Sequence, residues 1–229
     1  MKKTITKIFA YLFSFTFVLT LLITSIDYNS FNKDFYVTEF NEINNAELIK
    51  TTEAELLDFC FVVLDYIQDD RDDMVTYATI DNEYREVFND REKLHMVDVK
   101  NLYLNAMDIR NVSFVLMLVS FIGYLLLSNR KYKLLADAYK KTLIIIVVIF
   151  AALIFYALID FQNFWINFHY LFFDNDLWLL NPNTSIMINM VPQQFFNDLV
   201  LRIVAYFIIP IIGFLVLVIV YIRRQHERD

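Results

Sequence analysis

Four long apolar runs set the pattern of the chain. Residues 8–26, 112–128, 142–159 and 203–222 carry no charged side chain, and each comes close to the ~20 residues of helix that cross ~30 Å of hydrocarbon. In lipid every backbone N–H and C=O must be satisfied within its own segment, so each run predicts a transmembrane helix. The first run follows Met1-Lys2-Lys3 like a secretory signal. Its apolar stretch exceeds the ~7–15 residues of a signal core and no A-x-A site follows it, so it is read as an uncleaved span.

Between the spans the pattern turns amphipathic. Thr52 with Glu55 spells a capping box, followed by Leu56, Leu57, Phe59, Cys60, Val63 and Leu64 at helical spacing. The acidic run at 69–73 reads as a surface loop, and it lacks the Gly and ligand spacing of a calcium loop. Residues 77–87 fit a short hairpin or a helix. Asn89 with Glu92 offers a second capping box, from which Leu94, Val97, Val99, Leu102, Leu104, Met107 and Ile109 lead into the second span. Asn181-Pro182-Asn183 marks a turn, and Pro192 suits the first turn of the fourth spanning helix. No Gly/Ser linker separates these parts from the spans, which predicts one compact unit.

Charge orients the arrangement. Eleven of the twenty Lys and Arg residues lie in three short segments: the N-terminus (Lys2, Lys3, Lys7), residues 129–141 (Arg130, Lys131, Lys133, Lys140, Lys141) and the tail (Arg223, Arg224, Arg228). If four helices alternate, all three share one side, which the positive-inside rule makes the cytoplasm. The expected order is an N-terminus and first helix (1–26), an acidic extracellular domain (27–111), a second helix (112–128), a basic cytoplasmic loop (129–141), a third helix (142–159), an aromatic extracellular segment (160–202), a fourth helix (203–222) and a cytoplasmic tail (223–229). The fold class is thus an all-α or mainly α integral membrane protein with both termini cytoplasmic.

Composition narrows the chemistry. The chain is 229 residues long with 58% apolar or aromatic residues and a mean hydropathy of +0.43. The net charge of −7 argues against a nucleic-acid partner. Two glycines cannot build a phosphate-binding loop, and a single cysteine, Cys60, gives no internal disulfide or Cys-based metal cluster. Cys60 sits in an apolar stripe and reads as a packing residue. Residues 27–111 hold 20 acidic and 8 basic side chains, the composition of a solvated surface. Residues 160–202 hold both tryptophans, Trp165 and Trp178, among Phe161, Phe164, Phe168, Tyr170, Phe172 and Phe173. They read as an interfacial aromatic belt that can also line a slot for lipid entering from the bilayer.

Of the three histidines, His226 lies in the basic tail, while His95 and His169 fall one in each outer segment. Histidine titrates near neutrality and can serve as general base and then general acid. Carboxylates that could orient their rings are close in sequence: Glu92 and Asp98 around His95, Asp174 and Asp176 after His169. No metal-ligand motif is present, and no G-x-S-x-G elbow. Three readings stay open at this point: an enzyme using the histidine pair, a non-enzymatic membrane sensor or assembly subunit binding a partner through the acidic domain, and a metal-dependent lipid hydrolase.

The stretch FNDREKLHMVDVK (88–100) resembles the "E..HM.DVK" motif of the Lit family, the lipoprotein intramolecular transacylases. FHYLFFDNDLW (168–178), continuing to Asn181-Pro182, is similar to its second motif, "FH..FF.ND.W.L.P", which brings Trp178 into the candidate site. The chain departs from the pattern at Ser185 and Gln193, where acidic residues are expected. The resemblance implies an acyl shift from the sn-2 ester of a diacylglyceryl-cysteine lipoprotein to the α-amine of the same cysteine, at the extracellular face of the cell membrane. Ester to amide is downhill and the nucleophile belongs to the substrate, so this implied reaction needs no cofactor or metal. It leaves two proton transfers, for which His95 and His169 are the candidates.

Overall fold

The computed structural model describes residues 1–128 and 132–226, with side chains up to residue 221. In chain order the elements are α1 (Lys2–Ser30), α2 (Lys33–Glu42), α3 (Asn45–Ile49), α4 (Glu53–Ile67), β1 (Tyr77–Ile80), β2 (Glu83–Glu86), α5 (Asp90–Leu127), α6 (Tyr132–Ile159), α7 (Phe161–Phe172), α8 (Ile186–Met190) and α9 (Gln193–His226). Helices α1, α5, α6 and α9 are long and apolar enough to cross a membrane. The single compact unit expected from the missing linkers is corrected. The chain divides into two compact units, one of Met1–Ile26, Met107–Ile166 and Ile203–Asp229, the other of Asp27–Ala106 and Asn167–Arg202. Division needs no flexible linker here, because α1, α5, α7 and α9 each carry the chain from one unit to the other as continuous helix.

The first unit is built on α1. Ala10, Phe13, Tyr124, Leu135 and Ala138 form one buried cluster, and Val18, Tyr139, Phe207 and Ile211 another. Phe17 meets Phe214 at 4.8 Å between ring centroids, and Phe214 meets Tyr139 at 4.9 Å. The Tyr139 hydroxyl donates to the Ile211 carbonyl at 3.0 Å, and Ser14 donates to the Ala10 carbonyl four residues back at 2.7 Å. Outward, Ile144, Ile145, Val147, Val148, Leu158 and Leu217 are exposed, an apolar exterior suited to lipid rather than water. The basic loop expected over 129–141 is shorter than its sequence suggested, because α6 starts at Tyr132 and includes Lys133, Lys140 and Lys141. Its first turns bury Leu135, Ala136, Ala138 and Tyr139, and good helix formers there extend the span. Arg130 and Lys131, and Arg228 of the tail, lie outside the described residues.

The second unit opens on α2, capped by Asn32, whose side chain accepts from the Phe35 N–H at 2.9 Å. Thr52 caps α4 as expected, accepting from the Glu55 N–H at 3.2 Å. Between hairpin and helix over 77–87, the structure has the hairpin: Tyr77 pairs with Glu86 and Ile80 with Glu83. Its two-residue turn, Asp81-Asn82, takes φ of 53° and 67°, the left-handed pair of a type I′ turn, which Asp and Asn tolerate. Ala78 and Ile80 point inward with Phe40, Leu56, Phe59, Cys60, Val87, Phe88 and Phe195. Burial raises the Cys60 thiol pKa far above its ordinary value, in keeping with a packing residue.

Candidate active site

The candidate site lies in the second unit, where the start of α5 meets the end of α7 and the turn after it. Asn89 and Glu92 form the second capping box: the Glu92 N–H donates to Asn89 Oδ1 at 3.0 Å and the Asn89 N–H to Glu92 Oε2 at 2.7 Å. That fixes the first turn of α5 and the direction in which His95 leaves it. On α7, His169 is the buried residue of the helix. The chain closes behind it through the Phe173 N–H, which donates to the His169 carbonyl at 2.8 Å.

The two histidines come from distant segments and meet. Their ring centroids are 6.3 Å apart with 38° between planes, and the rings keep only 8% and 6% of their exposure. Phe173 touches both, at 5.5 Å from His95 and 5.9 Å from His169. Trp178 stacks on His169 at 4.6 Å and 24°, and its indole N–H donates to the Asn175 carbonyl at 2.9 Å. Asn175 in turn donates from Nδ2 to Asp98 Oδ2 at 2.8 Å, while its Oδ1 accepts from the Leu177 N–H at 3.0 Å. Arg91 holds the other end of the turn, donating to the Asp176 carbonyl and lying 3.4 Å from the Asp176 carboxylate. The 174–178 turn is therefore tied to α5 on both sides of His95.

Glu92, one of the carboxylates that could orient a ring, is fully buried, and its oxygens accept from other groups. Besides the Asn89 N–H, its carboxylate accepts from the Ser185 hydroxyl at 2.5 Å and the Met187 N–H at 2.9 Å. Ser185 also caps α8, accepting from the Ile188 N–H at 3.3 Å. A buried carboxylate costs less when several donors point at it, so Glu92 serves as the pin between α5 and α8. Asp98 stands near His95 but shares its carboxylate with Asn175. Asp174 and Asp176 are exposed, Asp176 against Arg91 and Asp174 on the wall of a cleft. Sequence reasoning placed Phe173 only in the aromatic belt and did not single out Asn175, Arg91 or Ser185 as site residues. All but Ser185 lie inside the two motif stretches, and Ser185 is the position where the chain departs from the pattern.

His95 has a particular electrostatic setting. Its Nδ1 is buried with no hydrogen-bond partner. Burial, then the neighbouring His169 and more weakly Arg91, push its pKa down to about 4 against an opposing pull from Asp98. A ring so placed is neutral at pH 7, and no hydrogen bond commits its Nδ1. Among the described residues, no three His, Cys, Asp or Glu side chains converge as metal ligands would. The third histidine, His226, sits at the end of α9 where only backbone is described.

The family described as "Lipoprotein intramolecular transacylase Lit" matches the chain over residues 11–196. The chain belongs to the Lit family. It is accordingly an acyltransferase, a lipoprotein intramolecular transacylase, and a multi-pass membrane protein. The solved structure of the membrane integral lipoprotein intramolecular transacylase Lit from Bacillus cereus superposes with a TM-score of 0.76 at 20% identity, over 99% of this chain and 98% of that one. Two variants of that protein, each with a single histidine substitution, to arginine or to alanine, align at TM-scores of 0.76 and 0.73 with 17% and 19% identity, over 99% of this chain and 96% of theirs. At such identities the likeness carries the fold. Comparison with curated proteins gives no match. Within this Lit-family chain the two stretches that resembled the family motifs are the ones that supply His95 and His169.

Proposed function

We propose that this Lit-family protein moves the sn-2 acyl chain of a diacylglyceryl-cysteine lipoprotein onto the α-amine of the same cysteine, with His95 and His169 as general base and acid. The observation that carries the reading is the meeting of two buried imidazoles, 6.3 Å apart, from segments some 70 residues apart in the chain. The amine attacks the ester carbonyl; the N–C bond forms, the sn-2 C–O bond breaks, the amine gives up one proton and the departing alkoxide takes one. His95, neutral and with an open Nδ1, suits the first transfer. His169, held flat against Trp178, suits delivery of a proton to the leaving oxygen. Asp98, through Asn175, and Asp176, through Arg91, hold the turn that carries Trp178. An α-ammonium has an ordinary pKa of ~8, so part of it is free amine at neutral pH, and the base's task is to accept the proton that the nitrogen sheds as the N–C bond forms.

In this reading the chain runs as the charge pattern orders it. Residues 1–26 enter from the cytoplasm, 129–141 and 223–229 lie there, and 27–111 with 160–202 form the extracellular face that bears the active site, the other spans being 112–128, 142–159 and 203–222. The partners are diacylglyceryl-modified lipoproteins and the bilayer that presents them. The test is a mass spectrum of a reporter lipoprotein's N-terminal peptide, from a host lacking its own N-acylating enzyme, with and without this protein. N-acylated cysteine carrying monoacylglyceryl on sulfur is the expected product. A reporter that keeps both O-acyl chains and a free amine sinks the reading.

A further inference from the structure

Beside the histidines the second unit holds a cleft of about 260 Å³, lined by Asp98, Asn101, Leu102, Asn105 on α5 and by Phe172, Phe173, Asp174, Asn175 opposite. It is smaller than the ~300–1,000 Å³ of pockets that take whole ligands, so it has room for a head group and not for acyl chains. One wall runs along α5 from the turn after His95 toward the apolar part of that helix, and Phe173, on the other wall, packs edge-on against His95. Phe173 is thus shared by the wall of the cleft and the histidine pair.

The lining has a definite chemistry. It offers two carboxylates, Asp98 and Asp174, and three carboxamides, Asn101, Asn105 and Asn175, but no Lys or Arg. Asp98 spends one oxygen on Asn175. Asn101, Asn105 and Asp174 point exposed side chains at the cleft's solvent. Carboxamide N–H groups can donate to ester carbonyls. The carboxylates attract an ammonium and repel a phosphate, by an amount that near a protein surface reaches a few kcal/mol at contact. The setting makes that difference matter. A protein in the bilayer faces phospholipids in vast excess, each with a phosphate, and these share the diacylglyceryl unit with a lipidated cysteine. What differs is the third position of the glycerol: a phosphodiester in one, a thioether leading to a cationic α-ammonium in the other.

We propose that this cleft is a charge filter, which seats the diacylglyceryl-cysteine head by its ammonium and ester groups and turns away the phosphate of bulk phospholipid. Discrimination of this kind rests on repelling the wrong ligand as well as holding the right one. The inference rests on the transacylase reading for its substrate, but the filter itself is a property of binding and can be measured without turnover.

The experiment uses the full-length protein in uncharged detergent and a fluorescent short-chain diacylglycerol as the bound probe. Two competitors displace it: dihexanoylglycerol, and dihexanoyl phosphatidylglycerol, which adds a phosphoglycerol group with one negative charge. Wild-type protein should prefer the phosphate-free competitor by about tenfold or more. Asp98→Asn with Asp174→Asn should narrow that preference to about twofold, and Asp174→Asn alone should move it the same way. Asp174 has an exposed side chain and no bond to lose, so the single variant keeps the test valid if the double variant folds poorly. In turnover, the double variant should raise KM for a diacylglyceryl lipopeptide more than it lowers kcat. A preference equal in wild type and both variants overturns the filter. A filter that behaves as expected in a protein that never acylates the amine overturns the transacylase reading instead.

Discussion

At the scale of single residues, the cost of charging His95 sets a pH dependence with a definite sign. Its folded pKa of about 4 lies below the ordinary 6.5. Between those values the unfolded chain binds a proton that the folded chain does not, so stability falls as pH drops through 6.5 toward 4 and is unaffected by this group above 6.5. Thermal unfolding in detergent at stepped pH should show that decline, and His95→Gln should flatten it. In catalysis, His95→Ala and His169→Ala are each expected to lower the transacylation rate by about 10²–10⁴-fold with insertion and expression intact. If the two rings serve one proton path, the double variant should be scarcely slower than either single one. Retention of rate with Gln at both positions, where hydrogen bonding survives but proton transfer does not, would leave them a positioning role only. Both histidines were legible in the sequence because histidine is scarce in this chain. Their supports were less so. Proximity in sequence suggested Glu92 for the ring of His95, yet a capping box already commits that carboxylate to the backbone, and its remaining capacity goes to Ser185 and Met187 more than ninety positions away. Such a partnership leaves no local periodicity to read.

At the scale of elements, helix starts, spans and turns followed from rules that act within a few residues. The Thr52 and Asn89 caps, the unbroken passage from His95 into the second span, and the Asp81-Asn82 turn are all local chemistry. The start of α6 was harder, because Lys133 and Lys140 mark the edge of the apolar run while burial of Leu135 and Tyr139 extends the helix past it. Close approach of α1 and α5 is also invisible in either helix alone. A Cβ added at Gly123 would stand 2.8 Å from the Phe9 ring, whereas one at Gly213 would meet nothing within 4 Å. Apolar helices in lipid gain no hydrophobic drive from meeting, so they rely on close packing at small residues. Gly123→Ala should therefore destabilise the protein by about 1–3 kcal/mol, read as a lower thermal midpoint in detergent. Gly213→Ala should leave the midpoint unchanged or raise it, since Ala is favoured over Gly inside a helix by up to about 1 kcal/mol. Equal midpoints for the two variants would show that Phe9 swings aside freely and that the glycine is not needed for the helices to pack.

For the whole molecule, the proposal turns on sidedness, and two charge distributions in the sequence support the same order. The acidic excess of residues 27–111 makes that part of the chain at home in water. In the proposed order, eleven Lys and Arg in three short segments flanking the spans keep those segments on the side where the translocation machinery retains positive charge. The proposed chemistry depends on this order, since a lipidated cysteine with a free amine is presented from the outer leaflet, and His95 and His169 must face it. Reporter fusions after Lys133 and Arg228 should therefore register the cytoplasm, and fusions near Asp70 and Asn183 the exterior. Moving the charge is the stronger form of the test. Lys2, Lys3 and Lys7 replaced by Gln weaken retention of the N-terminus but leave Lys133, Lys140 and Lys141 to hold α6, so most molecules should keep the same order and the same activity. Adding three Lys just after Asp27 should set the two ends of α1 against each other and divide the population. Transacylation should then fall in proportion to the fraction whose Asp70 fusion reports inside. Full activity in molecules with Asp70 in the cytoplasm would remove the outer face as the place of reaction.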